Sequence, residues 1–173
     1  MAILIPLNNN MNPKSVEPIA PTDLPDTPEQ ASGGMSQDEV QEIIRIMTEY
    51  FTRENGGDAK KAEEDVGKIA KLITHQAAKL VHLGNTVFLV LVKGKGRVEF
   101  HTMSVDDDSM SLAKNFVDLM KYLKNIGVKE AYSFSDDPKF EVVAKRTRLP
   151  YTTHREKVKG KEQTIYTVNV KEV

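Results

Sequence analysis

Thr86-Val87-Phe88-Leu89-Val90-Leu91-Val92 is a nearly unbroken apolar run of strand-forming residues. Such a run suits a strand covered on both faces, because a half-exposed strand alternates apolar with polar. Gly94-Lys95-Gly96 then turns the chain, and Arg97-Val98-Glu99-Phe100-His101-Thr102-Met103 does alternate. The two segments read as an antiparallel hairpin at the centre of a sheet.

Downstream, Asp106 to Ser109 caps a helix whose stripe is Leu112, Phe116, Leu119, Met120 and Leu123, and Asn125 and Gly127 stop it. Val128 to Phe134 is a short strand. Asp137-Pro138 is an N-cap followed by proline at the first helical position. It opens a short helix through Phe140, Val143 and Ala144, closed by Pro150. Tyr151–Val158 and Glu162–Val170 flank Lys159-Gly160-Lys161 as a second hairpin.

Upstream, Ser36-Gln37-Asp38-Glu39 is a capping box. Val40, Ile43, Ile44, Met47, Tyr50 and Phe51 form the stripe of the helix it starts, and Asn55-Gly56-Gly57 ends it. A second helix is expected from about 58 to 80, with Val66, Ile69, Ile73, Ala77 and Leu80 on one face. The order is helix, helix, strand, strand, helix, strand, helix, strand, strand. It predicts an α/β fold (α+β in its mixed sheet), with helices on both faces and a parallel crossover after Met103.

Residues 1–35 differ from 36–173. They hold six of the eight prolines and carry a net charge of −3, against +2 for the rest. Proline at this density blocks helix and central strand, so the segment reads as an extended Pro/Asn-rich arm. Its apolar beads Ile3, Leu4, Ile5, Leu7, Met11, Val16, Ile19 and Leu24 are candidate partner-binding residues. The arm precedes one domain, 36–173.

Composition excludes several classes. With no cysteine, disulfides, thiol catalysis and Cys-based metal sites are out. Mean hydropathy is −0.42 and no apolar run approaches the roughly 20 residues of a membrane span. The apolar opening is too short for a secretory signal. A net charge of −1 excludes whole-chain attraction to nucleic acid. The last 35 residues carry nine basic and four acidic groups, so a weak nucleic-acid face is considered there and set below a solvated hairpin. Glu99 and His101 share a strand face and with Asp106 are weighed as a metal site, but the spacing of the other histidines supports none.

The stretch from Gly84 to Leu149 resembles the GNAT superfamily of N-acetyltransferases. Gly84–Val90 and Val98–His101 look like its central antiparallel strands. Ala113–Phe116 through Lys129 looks like its third helix and fifth strand, and Asp136–Phe140 through Pro150 like its fourth helix and exit. The resemblance implies that Glu99 lies where that family often keeps a general base. It also places Lys145 where a tyrosine often protonates the leaving thiolate.

In the family a glycine-bearing loop at the start of the third helix holds the acetyl-CoA pyrophosphate, through free amides and the positive helix end. Here that stretch is Ser104-Val105-Asp106-Asp107-Asp108-Ser109-Met110-Ser111, and no glycine lies between Gly96 and Gly127. Carboxylates compete with phosphate for the same amides. The expectation is therefore a GNAT-like domain without catalytic, cofactor or metal residues, acting as an interaction module. Its resemblance to accessory proteins of tailed phages implies a virion component, in the particle or host cytoplasm. There the arm would dock on other structural proteins or on copies of itself. The alternative is an active acetyl-CoA-dependent N-acetyltransferase.

Overall fold

A computed structural model describes residues 3–4, 36–105 and 108–173. Among these residues the α-helices are α1 (Gln37–Glu54), α2 (Ala59–Thr74), α3 (Ser109–Asn125) and α4 (Pro138–Thr147). The strands are β1 (Ile3–Leu4), β2 (Ala78–Leu83), β3 (Thr86–Gly94), β4 (Arg97–Ser104), β5 (Glu130–Ser135), β6 (Tyr151–Val158) and β7 (Lys161–Asn169). They form a single mixed sheet in the order β1-β2-β3-β4-β5-β7-β6. Among the described strands, only β4 and β5, joined through α3, pair in parallel.

The central run is buried on both faces for the reason its sequence implies. Val87 and Leu89 of β3 face α1 and α2, in a core with Ile43, Ile46, Met47, Ile69, Leu80 and Met103. Phe88 and Val90 face α3, in a core with Phe100, Phe116, Leu119, Met120 and Leu123. Phe88, Phe100 and Phe116 meet edge to face, with centroids 5.4 to 6.4 Å apart. Such pairs add to the area they bury.

The caps form as expected. Ser36 Oγ accepts from Glu39 N at 3.2 Å, and the Glu39 carboxylate accepts from Ser36 N at 3.0 Å. Asp137 caps α4 through Lys139 N at 2.9 Å. On α1 the buried stripe includes Ile46, fully enclosed, whereas Ile44 is 47% exposed. The stripe read from the sequence is thus displaced at that turn.

The second helix is shorter than expected. It stops at Thr74, and Gln76 takes φ +57°. Ala78–Leu83 then forms β2, which pairs along its length with β3 from Ala78↔Leu91 to Leu83↔Thr86. The long helix to residue 80 is corrected accordingly. Leu80 is core in either reading, but as a strand residue it faces α1 and α2 from the sheet.

Ile3 and Leu4 pair with His82 and Val81 of this chain's own β2. The other arm beads, Ile5, Leu7, Met11, Val16, Ile19 and Leu24, lie outside the described residues. Among the described residues, no helix is long and apolar enough to cross a membrane.

Candidate active site

β4 and β5 pair at Arg97↔Glu130, Val98↔Ala131 and Glu99↔Tyr132, and beyond that the ladder ends. The strands part, and a cleft of about 370 Å³ opens between His101, Thr102 and Ser104 of β4 and Ser133, Phe134 and Ser135 of β5. Its mouth is framed by Tyr50 and Glu54 of α1 and by Asp136, Asp137 and Phe140 at the start of α4. Parted strands expose backbone donors and acceptors with no sheet partner, and these suit a ligand that itself carries amides.

Alternation sorts the cleft into two sides. Thr102 lies on the α3 side with Phe100, and Ser133 lies on that side with Ala131. Thr102 Oγ1 is buried and, among the described residues, has no hydrogen-bond partner. A buried hydroxyl left unpaired is costly, so this atom marks a place where a ligand group can bond.

The opposite side carries Glu99, His101, Tyr132 and Phe134. His101 Nε2 donates to Glu99 Oε1 at 2.7 Å. Tyr132 Oη donates to Glu99 Oε2 at 2.8 Å, and Lys93 Nζ lies 3.0 Å from the same oxygen. Burial pushes the Glu99 carboxyl up, but the bonds from Lys93, Tyr132 and His101 together outweigh it and hold it below the usual carboxylate range. Phe134 meets the His101 ring edge to face at 5.1 Å. Because a carboxylate only accepts, Nε2 carries the proton in this pair, and Nδ1 is the ring nitrogen left for another partner. Across the cleft, burial pushes the Tyr50 hydroxyl up to about 12, with Glu54 and Asp137 adding to the rise.

The start of α3 is occupied by the chain itself. Asp108 accepts from Met110 N at 3.0 Å, Ser111 N at 3.3 Å and Ser111 Oγ at 2.8 Å. These bonds, with Arg146 nearby, hold its carboxyl below the ordinary range. Asp106 and Asp107 lie outside the described residues. Arg146 also donates to Ser109 Oγ, tying α4 to α3. Beside this contact, Met110, Lys114, Lys145, Arg146 and Arg148 line a groove of about 540 Å³ between the helices.

Of the residues singled out from the sequence, Glu99 and His101 do come together. Lys145 does not reach the cleft; it lines the α3–α4 groove and pairs with Glu141 at 2.6 Å. Sequence reasoning missed Lys93, Thr102, Tyr132 and Ser133. Alternation along β4 assigns Thr102 its face, but no local signal shows where β4 leaves β5.

No family model and no curated protein matches the chain. Solved structures do match in fold. A spermidine N-acetyltransferase from Vibrio cholerae aligns with TM-score 0.54 at 8% identity, over 79% of this chain and 92% of that one. An aminoglycoside 6'-acetyltransferase type Ii aligns with TM-score 0.54 at 12% identity, over 78% and 92%. The microcin C7 self-immunity acetyltransferase MccE, solved with acetyl-CoA and AMP, aligns with TM-score 0.52 at 11% identity, over 76% and 87%.

These likenesses overturn the reading of the chain as a non-enzymatic virion component. The matched structures are acetyltransferases, and none of those named is a particle protein. That reading leaned on the acidic start of α3. Asp108 does fill that helix end, but it leaves the cleft between β4 and β5 and the Glu99–His101 pair intact. The fold of this chain is that of the GNAT acetyltransferases.

Proposed function

We propose that this protein is an acetyl-CoA-dependent N-acetyltransferase acting on an amine. One observation carries the reading: β4 and β5 part after three paired residues, with an orphaned hydroxyl on one side of the gap and a carboxylate-oriented histidine on the other. The spermidine and aminoglycoside acetyltransferases of like fold support an amine as acceptor.

Acetyl-CoA supplies an acetyl group activated as a thioester. The residues present fit its amide-bearing arm, which the parted strand edges and Thr102 Oγ1 would hold. The phosphates meet a different environment, since Asp108 occupies the helix-end amides. Lys114, Arg146 and Arg148 on the α3–α4 groove are the cations available to them.

His101 Nδ1 takes the proton from the amine, and Glu99 orients the ring and stabilises it as it becomes cationic. Tyr132 and Lys93 keep Glu99 ionised for that task. Glu54, Asp136 and Asp137, set against the single Lys139, leave the cleft lining with a net negative charge that favours a cationic acceptor.

Calorimetric titration with acetyl-CoA, followed by thiol release against a panel of polyamines and amino sugars, tests the reading. Saturable binding with amine-dependent thiol release is expected. An absence of binding at millimolar acetyl-CoA would overturn it.

A further inference from the structure

At the end of the sheet away from the cleft, the β3–β4 turn and the α3–β5 junction enclose a second cavity of about 260 Å³. Its walls are apolar: Val90, Val92, Val98, Leu123 and Ile126. Among the described residues, no carboxylate lines it. Lys79 does, and with it Lys95 and Lys129.

Lys79 is the telling residue. It sits opposite Val90 in the ladder. Its neighbours at alternate positions, Val81 and Leu83, belong to the α3-side core, so its stem runs to the same side. It is half-buried, and among the described residues it has no ion pair and no hydrogen bond. Burial holds its ammonium below the ordinary lysine range. Lys129 lays its stem along Gly96, where a Cβ would come within 3.1 Å of it. Arg97 is already engaged, bonded to Glu130 at 2.5 Å and set over the Tyr132 ring at 4.4 Å.

An unpaired cation against an apolar wall is unfavourable, and an anion with an apolar body satisfies both features at once. We infer that this cavity is a binding site for a medium-chain carboxylate, with the carboxylate on Lys79 and the chain against Val90, Val98 and Leu123. At an interior packing density of about 0.74 the cavity holds roughly 190 Å³ of ligand atoms, enough for about ten non-hydrogen atoms. The site lies at the opposite end of β4 and β5 from the proposed acetyl-transfer cleft and stands independently of that reading.

The test titrates the full-length ¹⁵N-labelled protein with octanoate, and separately with 1-octanol, which keeps the chain and lacks the charge. Saturable octanoate shifts centred on the amides of Gly96, Gly127 and Lys129 are expected, with octanol at least tenfold weaker. Lys79→Met should weaken octanoate at least tenfold and leave octanol unchanged. Should that variant fail to fold, the octanoate-to-octanol ratio on the native protein decides alone. Equal affinities, shifts centred on Thr102 and Phe134, or no saturation at millimolar octanoate would each overturn the assignment.

Discussion

His101 Nε2 donates to Glu99 Oε1 at 2.7 Å, where β4 has just left β5. The pair places an imidazole on the wall of the cleft, held by a carboxylate. On the proposed acetyl transfer, replacing His101 by Ala should lower kcat/KM by about 10²- to 10⁴-fold, the range general-base catalysis contributes. Glu99→Gln should lower it by less and should change the pH profile, since a neutral amide no longer stabilises the cationic ring. Steady-state kinetics across pH checks both. An unchanged profile in His101→Ala would remove the histidine from the chemistry.

Glu99 also links folding to pH. Its folded-state pKa lies below the unfolded value of 4.5, so the carboxylate stabilises the fold above about pH 4.5. That contribution is lost as pH falls through the lower, folded value. Urea unfolding from pH 3 to 7 should therefore show the native protein and Glu99→Gln converging at the acid end and separating towards neutral pH.

Thr102 Oγ1 has no hydrogen-bond partner among the described residues. Thr102→Val removes that unsatisfied hydroxyl at nearly the same shape. Stability should hold or rise, by about 1 kcal/mol at most. Acetyl-CoA affinity should fall if the hydroxyl bonds the ligand. Thermal melts with and without acetyl-CoA separate the two effects, because a ligand at 100 times its Kd adds about 2.7 kcal/mol.

Asp108 caps α3 with three hydrogen bonds. Asn caps about as well as Asp, so Asp108→Asn should change stability by less than about 0.5 kcal/mol. It removes one negative charge from the end of α3. The Kd for coenzyme A should drop severalfold, and the drop should shrink at high salt. A Kd unmoved by this variant would place the phosphates elsewhere.

Phe88 is fully buried between Phe100 and Phe116. Phe88→Ala should cost about 3–5 kcal/mol, a large part of the stability of a domain this size. Denaturant unfolding reads it directly.

Much of the fold was legible because its signals are local. Ser36 and Glu39 sit in one turn, and Asp137 and Pro138 are adjacent. The run Thr86–Val92 needs no partner to declare itself buried on both sides. β2 was missed because α2 ends at His75 and Gln76 without glycine or proline, and Ala77 and Leu80 continue the helical spacing. The turn Gly84-Asn85 did carry the signal, since such a pair between apolar segments marks a hairpin. Gly84 takes φ +56° there, and Leu83 pairs with Thr86 across it.

The cleft was less legible. Glu99 and His101 are two apart on a strand, which fixes their shared face. Tyr132 lies 33 residues beyond Glu99, and only the parallel register Glu99↔Tyr132 brings its hydroxyl to that carboxylate.

The sequence by itself determined the caps, the buried central hairpin and the anion at the start of α3, because each depends on neighbours within a turn or on strand alternation. The tertiary structure alone decided that β4 and β5 separate after Glu99 and Tyr132, and that Lys79 meets no counterion among the described residues. Both follow from how distant segments meet across the sheet, and contacts between residues far apart in the chain leave no mark in local spacing.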